Sequence, residues 1–483
     1  MSNLSDLLPS GGGQNIVEFT ASGTIASGKP VVLNANGTVS QIADDARSVS
    51  EAVGSAAVYE SANSEFNGIA SNSTGDKLLI AYKDVGNSNY GTAVVATLSG
   101  STLTYGTPVV FYSSSAVDIT VVYSSTADKF VISWKQSGGR SIVATVSGTT
   151  VSFGSENQWS SNNLDYISSA YDSGNDKIVV AYTDGTQSDH GYSRVGTVSG
   201  TSISFGSDVE FNNGTVFQLG LTYDSTSGKV VVVYGSTDTG TGRAQVGTVS
   251  GTSISWGSAA TYGANENTRA NRAVHDVGQN KTFVVYQEST DVFGIIGTVS
   301  GTSISFGTRV SMMTAGTTDN FNSVAYHSAA QKVVYSGKKN NNELTAIICT
   351  VSGTTFSKGS DIKLADQGDE NQSAYNSAAE QIVVAFKDED NSNYGTAITI
   401  TPAYTATNLT STNFLGLADA AISDTATGKI NVKGSINSKQ SSLTIGSDYY
   451  VQSDGTVTTT STSPAVKIGQ AVTATTINMM DLT

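Results

Sequence analysis

The sequence predicts an all-β protein: a seven-bladed β-propeller inserted in a small β-sandwich or barrel domain that both termini build. Three observations predict it. No stretch sustains a 3.6-residue apolar period. One eleven-residue segment recurs along the chain at a nearly constant spacing. The last repeat lacks a fourth strand, and a matching segment stands ahead of the first repeat.

Composition supports the first point. The 483 residues include 50 glycines and only 5 prolines, and Ser and Thr are abundant. Short β-branched strands joined by tight turns have this profile.

The repeat reads Gly196-Thr197-Val198-Ser199-Gly200-Thr201-Ser202-Ile203-Ser204-Phe205-Gly206. It returns at 247–257 with Trp256 in place of Phe205, and unchanged at 297–307. Weaker copies surround Gly100, Gly148 and Gly353, so the marked glycines lie 48 to 52 residues apart. A second marker keeps step: Lys77, Lys129, Lys177, Lys229, Lys281 and Lys332 each open an apolar run, and Gln381 does so in a seventh copy. Tyr123, Tyr171, Tyr223, His275, Tyr326 and Tyr375 precede these runs. In the third copy the markers predict strands ending near Tyr171, then at 177–182, 193–198 and 201–211, with Ser199-Gly200 as a hairpin turn. Four antiparallel strands in about 50 residues make one propeller blade.

Closure follows from the count. The seventh copy ends in Gly395-Thr396-Ala397-Ile398-Thr399-Ile400-Thr401 and breaks at Pro402. Val53-Gly54-Ser55-Ala56-Ala57-Val58-Tyr59 reads like the fourth strands at 256–262 and 105–111. The segment 53–59 is therefore expected beside 397–401, closing the ring over residues 48–404 and leaving no open sheet edge.

Residues 1–47 and 405–483 stand outside the ring. They hold strand-like runs at 15–19, 30–33, 413–418, 428–432, 449–452 and 465–472, separated by Gly, Asn and Asp turns. Neither segment has enough strands for a core alone, so the two are expected to share one β-domain. Residues 1–14, with Gly11-Gly12-Gly13, are expected to form an arm.

Charge excludes some partners. With 25 basic against 40 acidic residues the net charge is −15, which repels nucleic-acid phosphates and anionic membrane surfaces. No apolar run spans a bilayer and no secretory signal opens the chain, so synthesis in a host cytoplasm is expected. The single cysteine, Cys349, lies in an apolar run and is expected to pack as a small hydrophobe.

No catalytic signature stands out. Of the three histidines, His275 and His327 fall at or beside the repeated aromatic position, and His190 lies in a loop. There is no Gly-x-Ser-x-Gly elbow, zinc-type His/Cys cluster or phosphate-binding loop, so neither metal nor cofactor is expected. The turn position that carries Ser-x-Asp-x-Gly-x-Thr-Trp in sialidases reads Ser-Gly-Thr-Ser-Ile-Ser-Phe, lacking the Asp and the Trp.

The candidate binding residues lie in two loops between second and third strands. Asp84, Asn87, Asn89 and Tyr90 of the first repeat match Asp388, Asn391, Asn393 and Tyr394 of the seventh. In a closed ring these loops are neighbours. Their Asn and Asp side chains can bond sugar hydroxyls or a cation, and Tyr can stack on a sugar face. The same residues also make a good hairpin loop with no ligand.

The opening 4–15, the Phe19–Ile25 and Asn36–Val39 segments, the closing run from Phe414 through Tyr449 to Ala471, and the repeat itself resemble virion structural proteins of tailed phages, especially marine ones. The resemblance implies a non-enzymatic protein on the outside of a phage particle, as a tail fibre or appendage or as a head decoration. It implies docking to other virion proteins through the terminal β-domain, oligomers about a symmetry axis such as a trimer, and display of the propeller toward a host-surface glycan or receptor. A stand-alone lectin and a glycan-degrading enzyme are the rival readings.

Overall fold

A computed structural model describes residues 15–34, 36–42, 44–237, 239–263, 268–314, 322–409, 413–461 and 466–479. The expected arm at 1–14 lies outside them. The described chain is all-β, with short 3-10 turns and no α-helix. It divides into two compact units, residues 51–402 and residues 1–50 with 403–483.

The larger unit is built from repeated antiparallel sheets. In the third repeat Leu164–Asp172 pairs with Lys177–Asp184, which pairs with His190–Ser199, which pairs with Ser202–Phe205. The second strand is buried from Ile178 to Asp184 because sheets cover both its faces, which is why its sequence is continuously apolar rather than alternating. The edge strand alternates instead, with Ile203 buried between exposed serines.

One expectation needs correction. The run 201–211 is not a single fourth strand. It breaks at residues 206–208, where a bulge adds one residue against Arg194 and Val195, and pairing resumes at Val209. From there the chain runs unbroken into the next inner strand, Val209–Asp224.

Two glycines of the repeat have different reasons to be glycine. Gly251 takes a left-handed φ of 59° in the hairpin turn, with open space around its Cα. Gly257 has an ordinary φ, but a Cβ there would run into the carbonyl oxygen of Thr302 in the next repeat's turn.

The aromatic markers also bridge repeats. The Tyr223 hydroxyl accepts the Gly174 N–H at 3.1 Å, the Tyr326 hydroxyl accepts the Gly278 N–H at 3.2 Å, and His275 Nε2 lies 3.1 Å from Thr226 Oγ1. Each bond ties an inner strand to a turn of the preceding repeat. His327 differs: its Nδ1 accepts the Ala330 N–H at 3.0 Å within its own turn, while Nε2 donates to the Glu380 carbonyl at 2.7 Å.

The inner strands pack in a closed circuit. Ala57–Ser71 lies against Val117–Ser124, followed by Leu164–Asp172, Val209–Asp224, Arg269–Asp276, Ser323–His327 and Gly368–Asn376, which returns to Ala57–Ser71. In the final sheet Tyr394–Thr401 pairs with the early chain: Ile400 with Val53, Ala397 with Ala57 and Thr396 with Val58. Leu78 and Tyr82 accordingly share a core with Val383 and Ala397. Cys349 is buried among Phe283, Tyr335 and Phe356, and burial pushes its thiol up to about 12.

The smaller unit interleaves the two chain ends. Ile16–Thr20, Thr427–Val432, Phe414–Ala418, Pro30–Leu33 and Val39–Gln41 form one sheet in that order. A second sheet runs Ile436–Asn437, Thr476–Asn478, Val466–Thr473, Asp448–Val451, Val457–Thr458. Val31 and Val32 point to opposite faces of the first sheet, into a core with Ile430 and a core with Ile468 respectively.

Candidate functional site

The two predicted loops flank one strand. Ser64 pairs with Asp84 on one side, and its N–H donates to the Asn393 carbonyl at 3.0 Å on the other. Tyr394 lies opposite Asn63 and Tyr90 opposite Asp84; both tyrosines are half-buried where their strands begin. The eight predicted residues are thus brought to one edge of the larger unit.

Both loops form the same short 3-10 turn, which in the first loop is capped by a side chain. Asp84 accepts the Asn87 N–H at 3.0 Å, and Ser88 and Asn89 follow in left-handed conformations. The third repeat copies this shape without the Asn-Tyr ending: Asp184 accepts the Thr186 N–H at 2.9 Å, with Ser188 and Asp189 left-handed. In the seventh, Ser392 and Asn393 are left-handed and the Thr396 hydroxyl donates to Asp388 at 3.4 Å. Burial raises the Asp84 and Asp388 carboxyls above the usual aspartate value. Asp84 is therefore a turn former, whatever else it does. Asp84→Ala is expected to lower stability by about 1 kcal/mol, as loss of a cap does. Urea unfolding measures it, and an unchanged midpoint would remove the structural role.

Sequence reasoning missed the central feature. The inner strands enclose a cavity of about 610 Å³. Among the described residues, six inner strands each carry a bulge with one left-handed residue lining this cavity: Phe66, Asp118, Tyr166, Gln218, Ala270 and Glu370, with φ between 46° and 53°. Pairing slips at every one of them. A left-handed non-glycine residue is held only where its surroundings demand it. Here neighbouring strands do so. The Phe66 N–H donates to the Glu370 carboxylate, the Tyr166 N–H to Asp118 Oδ2 at 3.2 Å and the Ala270 N–H to Gln218 Oε1 at 2.6 Å. Asn67 and Asn271 reinforce this by donating to the Glu370 and Gln218 carbonyls, at 3.1 and 2.9 Å.

Ion pairs flank the cavity lining, since Glu65, Asp165 and Asp369 each directly precede one of these left-handed residues. Lys83 meets Glu65 at 2.8 Å, Lys338 meets Asp369 at 3.1 Å and Lys387 meets Glu370 at 3.4 Å. Lys135 bridges Asp118, at 3.3 Å, and Asp165 of the following repeat. Burial raises the Glu370 carboxyl above the ordinary glutamate value. The predicted loops open from the same strand ends, since Asp84 lies opposite Ser64, two residues before Phe66.

The histidines are accounted for by local bonds. His190 Nδ1 lies 2.7 Å from Glu210 Oε1, and His275 and His327 are buried at the ends of the strands Arg269–Asp276 and Ser323–His327. Among the described residues no group of three His, Cys, Asp or Glu is placed to hold a metal ion.

No family model and no curated protein matches the chain. Solved structures similar to it include Raptor of Chaetomium thermophilum, at 10% identity and a TM-score of 0.48, covering 75% of this chain and 30% of that one. A mitotic checkpoint complex chain matches at 11% identity and TM-score 0.47, covering 74% of this chain and 93% of its own. An arginine-to-alanine triple mutant of AofleA from Arthrobotrys oligospora matches at 12% identity and TM-score 0.43, covering 67% and 96%. The chain spans under a third of the Raptor chain. By its own strand pairing it is an all-β repeat protein of propeller-like, multi-sheet architecture.

Proposed function

We propose that the chain is a seven-bladed propeller carried on a β-domain built from its two ends, and that it binds and displays without catalysis on the surface of a tailed-phage particle. The circuit of inner strands and the entry of residues 52–58 into the last sheet support the ring. Interleaving of early and late strands in the smaller unit supports a split domain that docks to other virion proteins and to further copies of the chain. The phage assignment rests on the resemblance of the terminal segments and of the repeat. Tail fibre or appendage and head decoration are both compatible with it.

The observation that carries a binding role is the cavity: among the described residues, a repeated scaffold presents a different side chain from each of six repeats into one space. Rigid frames with variable linings are how proteins build recognition sites. Phe66 and Tyr166 supply ring faces, and Gln218, Asp118 and Glu370 supply polar atoms, a mixture suited to a hydroxyl-rich host-surface glycan. The purified chain is expected to be retained on bacterial surface polysaccharide, and Tyr166→Ala to weaken retention at least fivefold with an unchanged unfolding midpoint. Absence of retention on every polysaccharide and host envelope offered would overturn the adhesive role. Gold-labelled antibody failing to decorate purified particles would overturn the virion role.

A further inference from the structure

Arg272 lines the cavity from the inner strand Arg269–Asp276, just past its bulge. Its Nη1 donates to the carbonyls of Asn271 at 2.8 Å and Leu219 at 3.4 Å. Among the described residues no carboxylate lies within 4 Å of the guanidinium, and Nε and Nη2 have no protein acceptor. The lysines of the ion pairs that flank the lining, Lys83, Lys135, Lys338 and Lys387, each already face an acid. Arg272 thus makes no ion pair among the described residues; the one acid it feels, Asp118, is already paired with Lys135. A guanidinium whose Nε–Nη2 edge is left unspent selects a planar anion that takes two parallel hydrogen bonds.

The rest of the lining says what carries that anion. Gln218 spends its carbonyl on the Ala270 N–H and leaves its amide NH2 free to donate. Gln372 and Ser169 add amide and hydroxyl groups, and Tyr166 adds a ring face. The volume, about 610 Å³, falls within the usual range for small-molecule sites.

We propose that the cavity takes a carboxylate carried on a hydroxyl-rich ring, a sugar acid, with its carboxylate on Arg272. This rests on the reading of the cavity as the ligand site and adds the ligand's class. An acidic unit of a surface polysaccharide is the source that fits the adhesive role.

The full chain is titrated by calorimetry with glucuronate, with glucuronate methyl ester and with sodium sulfate. Saturable millimolar binding of glucuronate is expected, with the ester at least tenfold weaker and sulfate weaker than glucuronate. Arg272→Gln is expected to reduce glucuronate binding at least tenfold without moving the unfolding midpoint. The acid-to-ester comparison uses the unmodified chain, so it holds even if that variant does not fold. Equal binding of acid and ester, sulfate binding as tight as glucuronate, or unchanged binding by a folded Arg272→Gln would overturn the proposal. Retention on neutral polysaccharide without glucuronate binding overturns it and leaves the adhesive role standing; glucuronate binding without polysaccharide retention does the reverse.

Discussion

Alanine at Gly257 is expected to destabilise the larger unit by about 3 kcal/mol, and alanine at Gly251 by about 1 kcal/mol, although one copy of the repeat contains both. At Gly251 the penalty is conformational. Its φ of 59° disfavours a Cβ, but the added methyl meets nothing. At Gly257 the backbone is ordinary and the space is not. The methyl would land on the Thr302 carbonyl oxygen, which belongs to the next sheet and cannot rotate aside. Relief requires two sheets to separate, losing packing across their shared core. Gly206 and Gly307 face Thr252 and Thr354 in the same way, so their alanine variants should behave like that of Gly257. Chemical denaturation of the two variants measures the difference. Equal losses, or the opposite order, would mean that the sheets are spaced more loosely than described.

Stability is expected to fall as pH drops below about 6.5, by up to about 1.4 kcal/mol per pH unit for each of two buried histidines. Burial pushes both His275 and His327 below the ordinary imidazole value. His327 shows why at atomic level. One ring nitrogen accepts an N–H and the other must donate to a carbonyl, so the neutral tautomer is the one that fits. Above the unfolded pKa both states are neutral and the contribution is complete. Below it only the unfolded chain takes up the proton, so stability is lost until the pH passes the lowered folded value. Glu370 and Asp276, whose carboxyls burial raises, act in the opposite sense once they protonate in the folded state. The clearest window is therefore between about pH 6.5 and 5. Unfolding midpoints at pH 7.5 and 5.5 should separate accordingly, and His327→Asn should reduce the separation. Identical midpoints at the two pH values would remove the histidines from the account.

Much of this architecture was legible because the repeat has physical causes that act within reach of the chain. A turn glycine, a lysine at a strand start and a tyrosine reaching back to the previous turn recur because each repeat meets its neighbours alike. The break at 206–208 was not legible, since Phe205-Gly206-Ser207 reads as continuing alternation and only the pairing with Arg194 and Val195 reveals the extra residue. The two loops could be located but not weighed. Asp84, Asp184 and Asp388 all begin the same turn, and its shape is explained by backbone needs alone. The cavity lining was hidden for the opposite reason. Phe66, Asp118, Tyr166, Gln218, Ala270 and Glu370 occupy one structural position with six different residue types, so a search for recurring residues passes over them. A search for a position that varies at the constant spacing would have found them.

Pairing between Ile400 and Val53, and between Phe19 and Gly428, has a consequence for biosynthesis. Early strands must wait for partners that are synthesised 347 and 409 residues later. At 5–20 residues per second this delay is roughly 20–80 s. Throughout that interval the nascent chain carries apolar, unpaired strand edges next to identical chains emerging from the same messenger. Yield in the cell should therefore depend more on translation speed and chaperone capacity than on the stability of the finished molecule.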